Sequence, residues 1–178
     1  LAMIMLGHLK VIMAGTIRVE ATPRMKTTDC LKQDGIIIGW RDGDLDSWLS
    51  KHIGEFAGGT VNCLELTKPE GTTFSQISEA MLGTTGTDSD LKKLMREKGM
   101  TFHLEQVRDL IVRTEKGGED TGLHKNGRAN LFPIEDENED VFWLRAYRDD
   151  GDWYVLVRSF DYDDPWYQGP RAFSRNKA

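Results

Sequence analysis

The chain has 178 residues and a mass of 20.2 kDa, enough for one domain or two small ones and too little for a multidomain machine. Hydrophobic residues make up 39% and charged residues 29%, a balance that supports a packed core and excludes wholesale disorder. Lys and Arg number 23 against 29 Asp and Glu, a net charge of -6 that excludes the broad basic surface of a nonspecific duplex binder. Any nucleic-acid contact must therefore be local.

Two cysteines, Cys30 and Cys63, in a chain of this length do not indicate a disulfide framework, so a reducing, cytoplasmic setting is expected. No apolar run approaches the ~20 residues that span a bilayer, and no membrane partner is expected. The opening LAMIMLGHLKVIM is apolar but lacks an early basic region and a small-residue cleavage site, unlike a signal peptide. With Met13-Ala-Gly read as an alternative start, residues 1–12 become an extension with little bearing on the fold.

In chain order, residues 16–21 (TIRVEA) alternate as a half-exposed strand, 28–33 suit a short helix, and 35–40 (GIIIGW) form a buried β-branched strand. After a turn at 41–44, Leu45, Trp48, Leu49, Ile53 and Phe56 fall on one helix face that stops at Gly58-Gly59. Residues 60–66 (TVNCLEL) make another strand. Three short helices follow: Thr73 with Gln76 has capping-box spacing ahead of a stop at Gly83, Thr87 opens the second ahead of Gly99, and Thr101 opens the third. The glycine-rich, charged stretch 115–128 reads as a mobile loop. Beyond it lie eleven of the sixteen aromatic residues, with strands at 130–134, 141–148, 153–160 and 171–175. The expected class is α+β: an N-terminal βαβ-type portion and central short helices (13–117), a linker (118–129), and a C-terminal antiparallel β-meander (130–178).

The Asp150-Gly151 pair is a hairpin signal between VFWLRAYR and WYVLVRSF. Pairing Arg148 with Trp153 puts Tyr147 opposite Tyr154, Arg145 opposite Leu156 and Trp143 opposite Arg158. Alternation then gives a core face of Phe142, Leu144, Ala146, Trp153, Val155 and Val157. The opposite face carries Trp143, Arg145, Tyr147, Tyr154 and Arg158, with stacking area and fixed donors for a base, a sugar or a carboxylate-bearing peptide. The alternative is that this face packs against the preceding helices, with arginine stems covering the rings. Trp40 joins the ligand-binding candidates, although a tryptophan closing a buried strand also suits a core.

Other chemistry leaves little trace. His8, His52, His103 and His124 lie in separate segments without zinc-ligand spacing, and no cofactor or metal is expected. Asp42-x-Asp44-x-Asp46 and Asp136-x-Asn138-x-Asp140 begin like calcium loops but lack the glycine and the twelfth-position ligand, so they suit turns and caps. No nucleophile elbow, phosphate loop or dinucleotide fingerprint is present, and no catalytic residue is assigned. A small enzyme would require Asp136, Asp140, His124 and Cys30 to converge. Ile77, Ala80 and Gly83 have partial helix-turn-helix spacing, which would make Lys92, Lys93, Arg96 and Lys98 a basic reading helix; a solvated basic face is the alternative.

Within residues 17–49, the order IRVEA, Asp29-Cys30-Leu31, GIIIGW and Gly43-Asp44-Leu45 resembles the PUA/EVE-like modules at the N-termini of some bacterial restriction-type proteins. Gly39, Trp40, Gly43, Asp44 and Leu45 match as they stand, over about a fifth of the chain; residues 60–99 depart from the pattern. The resemblance implies a small barrel-like α+β fold, noncatalytic in itself, that recognises nucleic acid. The ending, with Asp150-Gly151-Asp152-Trp153, Pro165-Trp166 and RAFSRN, resembles a β module of uncharacterised bacterial proteins. The expectation is a noncatalytic binding protein for nucleic acid or another polar ligand; the alternatives are an acidic, antitoxin-like protein partner or a small enzyme.

Overall fold

The computed structural model describes residues 3–6, 9–23, 25, 27–30, 38–41, 55–67, 69–163 and 169–176. The strands are β1 (Met3–Leu6), β2 (Leu9–Val19), β3 (Thr22–Pro23), β4 (Ile38–Arg41), β5 (Glu55–Phe56), β6 (Gly59–Thr67), β7 (Asn130–Glu135), β8 (Val141–Asp149), β9 (Asp152–Arg158) and β10 (Arg171–Asn176). The helices are α1 (Thr27–Cys30), α2 (Phe74–Leu82), α3 (Asp88–Glu97) and α4 (Leu104–Glu115). Eight strands form one sheet in the order β1-β2-β6-β10-β7-β8-β9-β4, and β3 pairs with β5 apart from it. Neighbours are antiparallel except β10 with β7 and β4 with β9. The fold is α+β with a strand-rich C-terminal region.

Both faces of the sheet are packed. On one, Leu104, Val107, Leu110 and Ile111 of α4 cover Leu144, Ala146, Val155, Val157, Phe132 and Phe173. On the other, Phe74, Ile77 and Ala80 of α2 with Leu91 and Met95 of α3 cover Leu64, Leu131, Trp143 and Ala172. The α2 cap works as its sequence signals: Gln76 N–H donates to Thr73 Oγ1 at 3.2 Å, Thr73 N–H donates to Gln76 Oε1 at 2.9 Å, and Gly83 ends the helix at φ 70°.

Several expectations change. Residues 9–12 are no extension, because Leu9 and Val11 are buried in β2, which pairs along β6. Phe56 is not helical; it pairs with Thr22 in β5 and stacks on His103 at 3.6 Å, while most of the expected helix, 42–54, lies outside the described residues. The third helix starts after His103, and Thr101 instead donates to Glu135 Oε2 at 2.5 Å. The 115–128 stretch is anchored: Thr121 and Leu123 are buried and Arg113 holds Glu119 at 2.7 Å. The meander is β7-β8-β9 only, since β10 inserts between β6 and β7. Strands from both sides of residues 118–129 thus share one sheet, and the boundary drawn there does not separate two sheets.

A candidate binding face on the hairpin ribbon

The hairpin closes through Asp149 and Asp152, with Asp150 and Gly151 both at positive φ, 49° and 89°, as a two-residue turn of the type I′ class requires. This fixes the register, and the observed pairs are those that alternation predicts: Arg148 with Trp153, Tyr147 with Tyr154, Arg145 with Leu156, Trp143 with Arg158. Five of the six candidate residues therefore share one face. The sixth, Trp40, lies on β4 in backbone register with Tyr154.

The face divides into two halves. Trp143 has no solvent exposure; its ring stacks on Phe74 at 5.4 Å, and its indole N–H donates to Ser78 Oγ at 3.0 Å. It is a core side chain sealed beneath α2 and cannot touch a ligand, which corrects its assignment as a contact residue. Leu156 is buried as well. Toward the turn the burial relaxes, and Arg145, Tyr147, Tyr154 and Arg158 are all half-buried.

There the side chains form a ladder. The Tyr147 and Tyr154 rings stack at 5.1 Å with 11° between planes, and the Arg145 guanidinium lies 5.7 Å from the Tyr147 centroid. Arg158 lies 4.8 Å over Tyr162, a side chain 40% exposed. Alternation could not find Tyr162, because it sits beyond β9 and reaches the face by a chain reversal after Phe160. Asp149 and Asp152 share the face at the turn end, which places two carboxylates beside the tyrosine stack. Arg148 belongs to the other face, where its Nε lies 2.6 Å from Glu115 Oε1, which also accepts from the Trp153 indole at 3.0 Å.

Of the acid–base candidates, Asp136 and Asp140 meet in one turn, while His124 lies beside Gly169 and Arg171 and Cys30 beside Glu105 and Arg108. Asp136 Oδ1 accepts from the backbone N–H groups of Asn138 and Asp140, each at 2.9 Å, the closed turn its sequence suggests. His124 Nε2 faces Gly169 O at 3.2 Å, and burial, aided by the Arg171 charge, holds its pKa below the ordinary value. Burial pushes the Cys30 thiol up to about 12, with Glu105 adding to the shift, and the Cys63 thiol up to about 11, so both stay protonated at neutral pH. Among the described residues no group of three or more His, Cys, Asp or Glu is placed to hold a metal ion.

The basic residues of the helix pair are largely ion-paired. Lys92 pairs with Asp140 at 2.9 Å, Lys93 with Glu97 at 3.9 Å, and Arg96 with Glu135 and Glu139 at 3.2 and 2.8 Å, so among the described residues three of the four basic residues of the expected face meet carboxylates and Lys98 does not. The apolar side of α3 is the floor of the second core. No described helix is long and apolar enough to cross a membrane. No protein-family model, no curated protein and no solved structure matches this chain.

Proposed function

We propose that this chain is a noncatalytic binding protein that holds an unpaired stretch of nucleic acid on the turn-proximal half of the β8–β9 ribbon. The observation that carries this reading is the Tyr147–Tyr154 stack flanked by Arg145 on a half-open part of the sheet. Bases stack on tyrosine with little sequence preference, at about 1–3 kcal/mol each, and arginine adds a planar cation for phosphate or base. Phosphates would run along the Arg145 and Arg158 end, away from Asp149 and Asp152. The net charge of -6 then works against a long duplex footprint and leaves a short, local one. The resemblance of residues 17–49 to PUA/EVE-like modules supports the same class of ligand, and Trp40 falls at the Tyr154 register on the adjoining strand.

The test is fluorescence anisotropy of labelled oligo-dT and oligo-U in low salt. Saturable binding is expected, with a shallow salt slope of about -1.4 for two arginine–phosphate contacts on a single strand. Tyr154→Ala should weaken it roughly tenfold while the thermal midpoint stays close to that of the parent. Absence of saturable binding, or full affinity in both Tyr154→Ala and Arg145→Ala, would overturn the proposal.

A further inference from the structure

A second concavity lies on the same face of the sheet but over β2, β6 and β10, away from the tyrosine stack. It is an open cleft of about 300 Å³ whose apolar lining includes Met13, Met81, Met100 and Leu64. Three thioether side chains from a strand, a helix end and a connecting segment make a wall that adapts to a flexible apolar chain. Polar residues border this wall, among them Asn62, Asn176, Ser174 and Lys98. Ser174 is only 5% exposed and lines the cleft; its backbone belongs to the β10–β6 ladder, and its hydroxyl makes no hydrogen bond to another described residue. Lys98, the C-terminal cap of α3, also lines it and has no acidic partner among the described residues, in contrast to Lys92, Lys93 and Arg96.

Arg175 lines the cleft as well, but its guanidinium donates to Thr101 O at 3.3 Å and Ala57 O at 3.4 Å, which leaves Lys98 as the cation not held by a described residue. An apolar wall with such a cation and a hydroxyl at the cleft surface matches a molecule with an alkyl chain and a single anionic head. A neutral alkane chain would leave Ser174 unsatisfied, and a compact anion would waste the methionine wall. We propose that the cleft is a binding site for a small amphiphilic carboxylate, its chain against Met13, Met81 and Met100 and its head at Lys98 and Ser174. This site is independent of the nucleic-acid proposal and survives its failure.

Decanoate and the neutral 1-decanol, both below the concentrations at which they self-associate, are titrated into the full chain labelled with carbon-13 at the methionine methyls. Met13, Met81 and Met100 signals should shift saturably with decanoate, while Met95, fully buried in the core, should stay in place. Decanol should bind at least about tenfold more weakly, and Lys98→Glu should lose about tenfold in decanoate affinity, the scale of one charge-assisted contact. Lys98 is exposed, so the variant should melt like the parent; Lys98→Gln, a milder change, should move affinity in the same direction. Unmoved methionines, equal binding of decanol and decanoate, or undiminished affinity in both Lys98 variants would each overturn the proposal.

Discussion

The Trp143 indole N–H donates to Ser78 Oγ at 3.0 Å, and both side chains are sealed from solvent. The bond ties the middle of β8 to α2, and Ser78 in turn donates to Phe74 O at 2.7 Å, one turn back along the helix. Ser78→Ala leaves a buried indole donor without a partner and should cost about 1–3 kcal/mol. Trp143→Ala opens a cavity and should cost about 3–5 kcal/mol. Denaturant melts check both, and Ser78→Ala should keep the oligonucleotide affinity of the parent because Trp143 makes no part of the open half of the ribbon.

The hairpin turn offers a change of opposite sign at adjacent residues. Gly151 sits at φ 89° with open space around a would-be Cβ, so Gly151→Ala meets backbone strain without a clash and should cost roughly 1–2 kcal/mol. Asp150 at φ 49° occupies a position that asparagine fills more comfortably, and Asp150→Asn should add a few tenths of a kcal/mol. Thermal midpoints moving in opposite directions would verify the turn.

Both thiols are buried and free, with pKa values pushed to about 12 for Cys30 and about 11 for Cys63. At pH 8 neither should react with a disulfide reagent on the timescale of minutes, and both should react at once in denaturant. Rapid titration of either thiol in the native protein would contradict the burial described for Cys30 or for Cys63.

His124 gives a pH signature. Its backbone N–H donates to Asn130 Oδ1 at 2.7 Å, and its ring, buried near Arg171, resists protonation. The unfolded chain takes up a proton on this ring near 6.5 while the folded chain does so only at lower pH. Its contribution is therefore full above 6.5 and is lost as the pH falls through and below that value. His124→Gln should flatten the stability profile in this window, as measured by urea unfolding at a series of pH values.

Local signals carried most of the elements. Asp150-Gly151 and strict alternation set the ribbon's register, and the Thr73–Gln76 pair and Gly83 set both ends of α2. What they could not carry is which element lies over which. Trp143 and Tyr147 occupy equivalent positions in the alternation, yet α2 packs over one and no described helix covers the other. That difference arises from contacts some seventy residues apart, between Phe74 or Ser78 and β8. Residues 9–12 differ from expectation for a related reason: β2 is held in the sheet by β6, with Val11 opposite Leu66 more than fifty residues downstream. Phe56 has helical spacing with Ile53 but finds a partner in Thr22, a β-bridge that periodicity within its own segment cannot reveal.

The insertion of β10 between β6 and β7 also bears on how the molecule is made. While a ribosome is still holding back Arg171–Asn176, β6 and β7 each present an unsatisfied backbone edge at what will become the centre of the molecule. The nascent chain can form its hairpin and helices early, but it cannot close until this late segment emerges. Until then, chaperone capture competes with adventitious strand pairing for the same slot.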